Sequence, residues 1–215
     1  MSFLDHARKL PAAAALALAF LATAALAEST PMTPAAIAAL KAEPPLPDIV
    51  EGSAGAPATI IEYASMTCSH CAAFHKDVWP ALKAKYVDTG KAKFVLREFP
   101  LDPLAAGAFM LARCAGPEKR DSLVDRLFDH QADWAFAANP LFKLKEEVLA
   151  SGMSEADFDA CLKKQDLFGH VNQMRDIAAK TLEVNSTPSF FINDQRMSGE
   201  HSLDAFDKIL APLSH

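Results

Sequence analysis

The chain has 215 residues, 51% of them hydrophobic and 22% charged, with a formal net charge of −6. That length accommodates one domain with a full core and an inserted subdomain, and the composition is that of an ordinary soluble globular protein. With an acidic balance and no Lys/Arg block to track phosphates, a general nucleic-acid binder is excluded.

Residues 1–27 stand apart. A polar start with Arg8 and Lys9 leads into an uncharged run from Leu10 to Ala27 that ends in Ala25-Leu26-Ala27. These are the three zones of a secretory signal peptide, cleaved after Ala27. An uncleaved membrane anchor is the competing reading, weakened because the run is marginal in length and rich in Ala rather than Leu or Ile. No cysteine adjoins the cleavage site, which argues against a lipoprotein anchor. The predicted location is therefore the periplasm. Export changes how Cys68, Cys71, Cys114 and Cys161 are read, since an oxidising compartment permits disulfides. Four cysteines allow three pairings, and spacing favours Cys68–Cys71 with Cys114–Cys161.

Residues 28–48 form an Ala/Pro-rich lead-in with a short helix at 34–42, stopped by Pro44, Pro45 and Pro47. Gly52 to Pro57 reads as a turn, and the β-rich, mostly apolar run 59–64 as a buried strand. Thr67 is the expected N-cap of a helix from Cys68 to about Val87, kinked at Pro80. Gly90 closes that unit, and 93–99 is a second strand cut off by Pro100. From 103 to 182 the spacing is helical throughout, punctuated by Asn139-Pro140 and Ser151-Gly152. A strand at 189–192, a turn at Asn193-Asp194, a short strand and a helix at 202–210 complete the chain. A parallel strand pair joined by a helix, followed by a later hairpin, predicts an α/β sheet interrupted by a helical insert. The expected division is a sheet domain from 49–102 and 183–215, with an inserted helical subdomain at 103–182.

Cys68 and Cys71 are three apart, which on a helix puts both on one face, one turn apart, so that their sulfurs can bond or separate with little backbone movement. In the first helical turn, free N–H groups and the helix dipole favour an anion, and His70 adds a second stabiliser. A stabilised thiolate is a good leaving group, so the Cys68–Cys71 disulfide becomes an oxidant, with Cys68 attacked by substrate and Cys71 resolving. The chemistry calls for no metal and no organic cofactor beyond the redox-active disulfide itself. Half a zinc site is the weaker alternative, since Cys114 and Cys161 stand alone rather than as a second ligand pair. A purely structural disulfide is weaker too, because so tight a loop constrains little chain.

The stretch Glu62-Tyr63-Ala64-Ser65-Met66-Thr67-Cys68-Ser69-His70-Cys71 resembles the active site of the DsbA-like disulfide oxidoreductases, which have a thioredoxin-like fold. Thr187-Pro188, before Ser189-Phe190-Phe191-Ile192, resembles their cis-proline loop, and the helical block matches their inserted domain. The resemblance covers about residues 50–213. It implies Cys68 as the attacking cysteine, Cys71 as its partner, a cis Pro188 beside the sulfurs, and Thr187 backbone free to pair with an extended substrate. It implies Glu62 as the buried acid behind the disulfide, able to take or relay the Cys71 proton; the alternative is a partly exposed strand-edge residue. Two positions depart from the best-known members: Ser69-His70 stands where those have Pro-His, and Thr187 where many oxidases have Val and many isomerases Thr. Both tune redox poise and substrate release. A bonded Cys114–Cys161 would be structural; two free buried thiols are the alternative.

The other histidines carry less. His75 reads as a surface or capping residue, and His130, His170 and His201 have no partner spacing. Phe128, Trp134, Phe136 and Phe142 read as insert core, with a binding face lining a peptide groove as the alternative. The leading expectation is a monomeric disulfide donor to newly exported polypeptides with free thiols, recharged by a membrane quinone-linked oxidase of DsbB type. The alternative is an isomerase or reductase kept reduced by a membrane thiol donor. Such isomerases usually need an oligomerisation segment, for which 28–48 is short. A non-catalytic chaperone or metal carrier on the same fold is the third, and its function would survive Cys68→Ala.

Overall fold

A computed structural model describes residues 28–213; the signal-peptide expectation lies outside the described residues. In chain order the elements are β1 (Glu28–Pro31), α1 (Pro34–Lys41), β2 (Ile49–Glu51), β3 (Ala58–Ala64), α2 (Ser69–Asp77), α3 (Trp79–Leu82), β4 (Ala92–Glu98), α4 (Pro103–Cys114), α5 (Pro117–Asp129), α6 (Gln131–Trp134), α7 (Pro140–Ala150), α8 (Glu155–Leu162), α9 (Gln165–Thr181), β5 (Ser189–Ile192), β6 (Gln195–Ser198) and α10 (Leu203–Leu210). A π turn at Lys83–Val87 follows α3, and a 3-10 turn at Ala211–Leu213 follows α10.

Among the described residues six strands form one sheet in the order β1-β6-β5-β3-β4-β2. Only β3 and β4 run parallel, with Ile61 opposite Val95; β2, β5, β6 and β1 pair antiparallel to their neighbours. The central strands are apolar on both faces, as a sheet covered on both sides requires. Their alternation splits the core in two. Ile60 and Ala64 of β3, with Phe94 and Leu96 of β4, pack toward α2, α10 and the insert. Ile61 and Tyr63, with Val95, pack toward α1 and α9. Glu62 shares the parity of Ile60 and Ala64, so it is directed at α2.

Local chemistry sets the element ends. Pro34, Pro103, Pro117 and Pro140 begin α1, α4, α5 and α7, where a missing N–H costs nothing. Thr33, Asp102, Asn139, Ser154 and Ser202 cap α1, α4, α7, α8 and α10 through side-chain oxygens. The kink expected at Pro80 is an interruption just before it: α2 ends at Asp77, and Pro80 sits in the first turn of α3, which leads into the π turn. Gly52, at φ +95°, has no room for a side chain: a Cβ there would sit 2.8 Å from Val87 Cγ1.

The lead-in does more than approach the domain. Its first residues form β1, which extends the sheet beside β6, and Leu40 of α1 is buried in the second core. Arg97 ties this segment down: its guanidinium donates to both Asp48 carboxylate oxygens (2.8 and 2.9 Å), to the Leu40 carbonyl and to the Tyr63 hydroxyl (both 3.0 Å). Neither β1 nor β2 is expected from sequence, because each is short and without alternation and owes its form to a partner strand. Residues 103–182 carry α4 to α9 and no strand. Within them Phe128 and Trp134 are core, but Phe136 and Phe142 are exposed (64% and 54%), which corrects their reading as insert core.

Candidate active site

Strand β3 delivers the loop Ser65-Met66-Thr67 to the start of α2. The expected cap, Thr67, is not the cap. The helix begins one residue later and Cys68 occupies the N-cap position, with extended backbone at φ −84°, ψ 117°. Thr67 turns instead to the insert: its hydroxyl donates to Asp102 Oδ2 at 2.6 Å, while Asp102 Oδ1 caps α4 by accepting from Ala105 N at 2.8 Å. Ser65 Oγ accepts from Leu101 N at 3.2 Å. From α6, the buried Gln131 amide donates to the Met66 carbonyl (2.9 Å) and the Cys68 carbonyl (3.0 Å). Three side chains thus fix the loop to the insert and to the segment that enters it, satisfying buried backbone groups that would otherwise be costly. Sequence reading missed Gln131, and nothing local distinguishes it from any glutamine at a helix junction.

Both Cys68 and Cys71 stand as free thiols. Ser69 and His70 between them are exposed, Cys68 is 8% exposed and Cys71 is fully buried. As a thiol Cys68 makes no capping bond; its Sγ–H donates to the Thr187 carbonyl at 3.2 Å. As a thiolate it becomes an acceptor at an N-cap, where donors converge. Its pKa is lowered to about 5, first by hydrogen bonding from the Cys71 thiol, against the opposing effect of burial, then by Thr187 and by the backbone N–H groups of Cys71 and His70. The Thr187 hydroxyl, buried and without a partner beside the thiol form, is free for that duty. His70 therefore contributes through its backbone, with its ring exposed. Cys71 goes the other way: burial pushes its thiol far up, aided by its hydrogen bond to Cys68 and by the charge of Glu62.

The Thr187–Pro188 peptide is cis, as expected; both residues are buried, and the Thr187 carbonyl meets Cys68. Glu62 is fully buried, which rules out the strand-edge alternative. Its Oε2 lies 2.9 Å from His75 Nε2, whereas Oε1 has no partner. This overturns the reading of His75 as a surface or capping residue. Its ring is buried, stacked on Phe128 with centroids 4.2 Å apart and planes 15° from parallel. The overlooked signal is spacing from Cys71 rather than from His70: His75 is four residues on, on the inward face with Phe74. His130 also has a partner, with Nδ1 lying 3.0 Å from Glu147 Oε2.

Cys114 and Cys161 are bonded and tie the end of α4 to α8. Among the described residues no group of three His, Cys, Asp or Glu side chains is placed to hold a metal ion, and no helix is long and apolar enough to cross a membrane.

Residues 46–211 match the family model described as Thioredoxin. The chain is 32% identical over 168 residues to a Rickettsia conorii protein assigned as a protein-disulfide oxidoreductase, an alignment covering 76% of this chain and 60% of that one. The chain spans about 60% of the length of such curated relatives. Among solved structures it is similar to Wolbachia pipientis alpha-DsbA1, at 31% identity and TM-score 0.73, covering 80% of this chain and 93% of that chain. It also shares its fold with BdbD from Bacillus subtilis, at 19% identity and TM-score 0.69, covering 77% and 92% of the two chains.

Proposed function

The chain belongs to the DsbA-like oxidoreductases of thioredoxin fold, and on that footing we propose that it catalyses thiol–disulfide exchange, donating a Cys68–Cys71 disulfide to exported polypeptides. The observation that carries this reading is the asymmetry of the pair: one sulfur at a helix N-cap among converging donors, the other buried behind it. Holding Cys68 as a thiolate favours the reduced pair and so makes the disulfide oxidising. A substrate thiolate attacks Cys68 Sγ, forming the mixed disulfide and breaking the bond to Cys71, which leaves as a thiolate and takes a proton. A second substrate thiolate then attacks the substrate sulfur of the mixed disulfide. Cys68 departs as a thiolate, the substrate gains a disulfide and the enzyme becomes a dithiol. Two electrons have moved from substrate to enzyme, and a membrane quinone-linked oxidase of DsbB type is the proposed acceptor.

In this reading Thr187 and cis Pro188 align an extended substrate beside Cys68, Ser69 and His70 border the entrance, and Glu62 takes or supplies the Cys71 proton. Cys114–Cys161 is structural. The thioredoxin-like unit comprises 49–102 and 183–215, the insert 103–182, and residues 1–27 are a signal peptide removed on export to the periplasm, where the protein acts as a monomer.

The test is the redox state of the Cys68–Cys71 pair in the exporting cell, read by thiol labelling after acid quench. A pair held mostly as disulfide, with Cys68→Ser inert in oxidising a peptide dithiol, is expected. A pair held mostly as dithiol would replace the donor with an isomerase or reductase.

A further inference from the structure

One buried group has no part in the exchange as derived so far. His75 lies behind the cysteines on α2, with its side chain 3% exposed, against a Glu62 side chain that is 0% exposed. Each member has one polar atom without a partner: Oε1 of Glu62 and Nδ1 of His75. Buried polar atoms are nearly always satisfied, so two orphans at the outer ends of one hydrogen-bonded pair need an explanation. Beyond His75 a cavity of about 210 Å³ is lined by His75 itself, Lys76, Trp79, Pro80, Lys83, Asp125 and Asp129. That volume holds several waters.

We propose that Glu62 and His75 form a proton relay that connects the buried Cys71 thiol to this cavity, with Asp125 as the acceptor at its outer end. The inference rests on the exchange reaction proposed above and adds the route by which Cys71 loses and regains its proton. Cys71 cannot be reached by solvent directly, being fully buried, so each release of substrate through Cys71 needs a proton moved through protein. When Cys71 attacks the mixed disulfide, its proton goes to Glu62 Oε1. The proton already shared between Oε2 and Nε2 moves onto the imidazole, and the Nδ1 proton leaves to the cavity. One proton enters, one leaves, and the reverse sequence reprotonates Cys71 when substrate attack on Cys68 expels it as a thiolate.

The surroundings suit this role. Phe128 stacks on the ring, with Phe74, Trp79 and Phe94 at its other sides, so the imidazole is held in place and shielded except through the cavity. The charged groups facing it are Glu62 from β3, Lys76 from α2, Lys83 from the π turn, and Asp125 and Asp129 from α5. Lys83 is engaged by Glu51 at 2.7 Å and Asp88 at 3.4 Å, which leaves the α5 carboxylates as acceptors. Burial and the neighbouring charge of Glu51 push Asp125 up to about 6, where it can take and release a proton near neutral pH.

The test follows release of glutathione from a Cys68–glutathione mixed disulfide by Cys71 in stopped flow at several pH values, alongside alkylation of Cys68. His75→Gln keeps a hydrogen bond to Glu62 but cannot pass a proton through its side chain, so the buried carboxyl stays loaded. Release is expected to slow by about tenfold or more with an altered pH profile, the scale of a lost acid–base group, while Cys68 alkylation is unchanged. In His75→Ala, added imidazole should restore the rate by entering the cavity. Asp125→Asn, at the cavity wall, should slow release more mildly and guards against His75 variants that fail to fold. Native release by H75Q at every pH, equal slowing of Cys68 alkylation, an H75A deficit that imidazole leaves unchanged, or a native D125N would each overturn the relay. Failure of the unsubstituted protein to release glutathione through Cys71 would instead overturn the exchange reading itself.

Discussion

The reduced protein is expected to unfold at a higher temperature than the oxidised protein at pH 7, and the gap should close as the pH falls to about 5. Only the reduced form carries the Cys68 thiolate. That group has its pKa lowered from the free-thiol range to about 5 in the folded chain. A group lowered on folding contributes stability that is complete above the unfolded value and lost as pH falls through the folded one. The contribution therefore grows from about pH 5 upward and levels off near pH 9. At pH 7 the two protonation states differ by roughly 3 kcal/mol at full weight, which solvent screening of the sulfur reduces to about 1–2 kcal/mol. In a domain of this size that is a gap of roughly 2–8 °C. Calorimetry of both redox forms across this range checks it. A reduced form less stable than the oxidised one at pH 7 would mean that the disulfide is a staple and a poor oxidant.

Replacing both Cys114 and Cys161 by serine should cost up to about 4 kcal/mol, the chain-entropy value for a loop of this length, since the bond spans 47 residues. The bond joins α4, whose Phe109, Met110 and Leu111 are buried at the centre of the main core, to α8, whose only buried residues are Phe158 and Cys161. Helix α8 has little apolar anchorage of its own, so the crosslink supplies much of its attachment. A lowered urea midpoint is the expected signature, with a steeper slope because the uncrosslinked denatured chain exposes more surface, and with the Cys68 alkylation rate unaffected. An unchanged midpoint would show that packing alone holds the insert together.

Much of the fold was legible because it is written in local patterns. The run from Thr59 to Ala64 is apolar enough to be read as a buried strand, whereas the place of Glu62 behind the cysteines was implied only by the family resemblance. Breakers at Pro44, Pro100, Asn139-Pro140 and Ser151-Gly152 delimit the elements. What escaped depends on distant partners. Strands β1 and β2, of 4 and 3 residues, exist because β6 and β4 offer free edges. The sequence marks Phe136 and Phe142 as hydrophobic, but which face of the insert they occupy is a tertiary fact.

The site was legible at its chemistry and opaque at its supports. Cys68 and Cys71 lie together with the Thr187 carbonyl at Cys68 and the Glu62 charge near Cys71, and the sulfur itself takes the capping position expected of Thr67. Gln131 lies 60 residues downstream of Cys71 and reaches the loop only because α6 folds back over it. His75 was within reach of helical spacing, had the count begun at Cys71. A buried histidine paired with a buried acid is invisible until the strand and the helix are docked.

The whole account depends on the ionisation of Cys68. The direct measurement is thiolate absorbance of the reduced protein in the ultraviolet as pH is lowered, with Cys71→Ala as a variant expected to titrate higher because it removes the Cys71 thiol donor. The account predicts a single midpoint near 5 for the native pair, so that the sulfur is almost fully ionised at neutral pH. A midpoint near the value of free cysteine, at about 8.5, would contradict it.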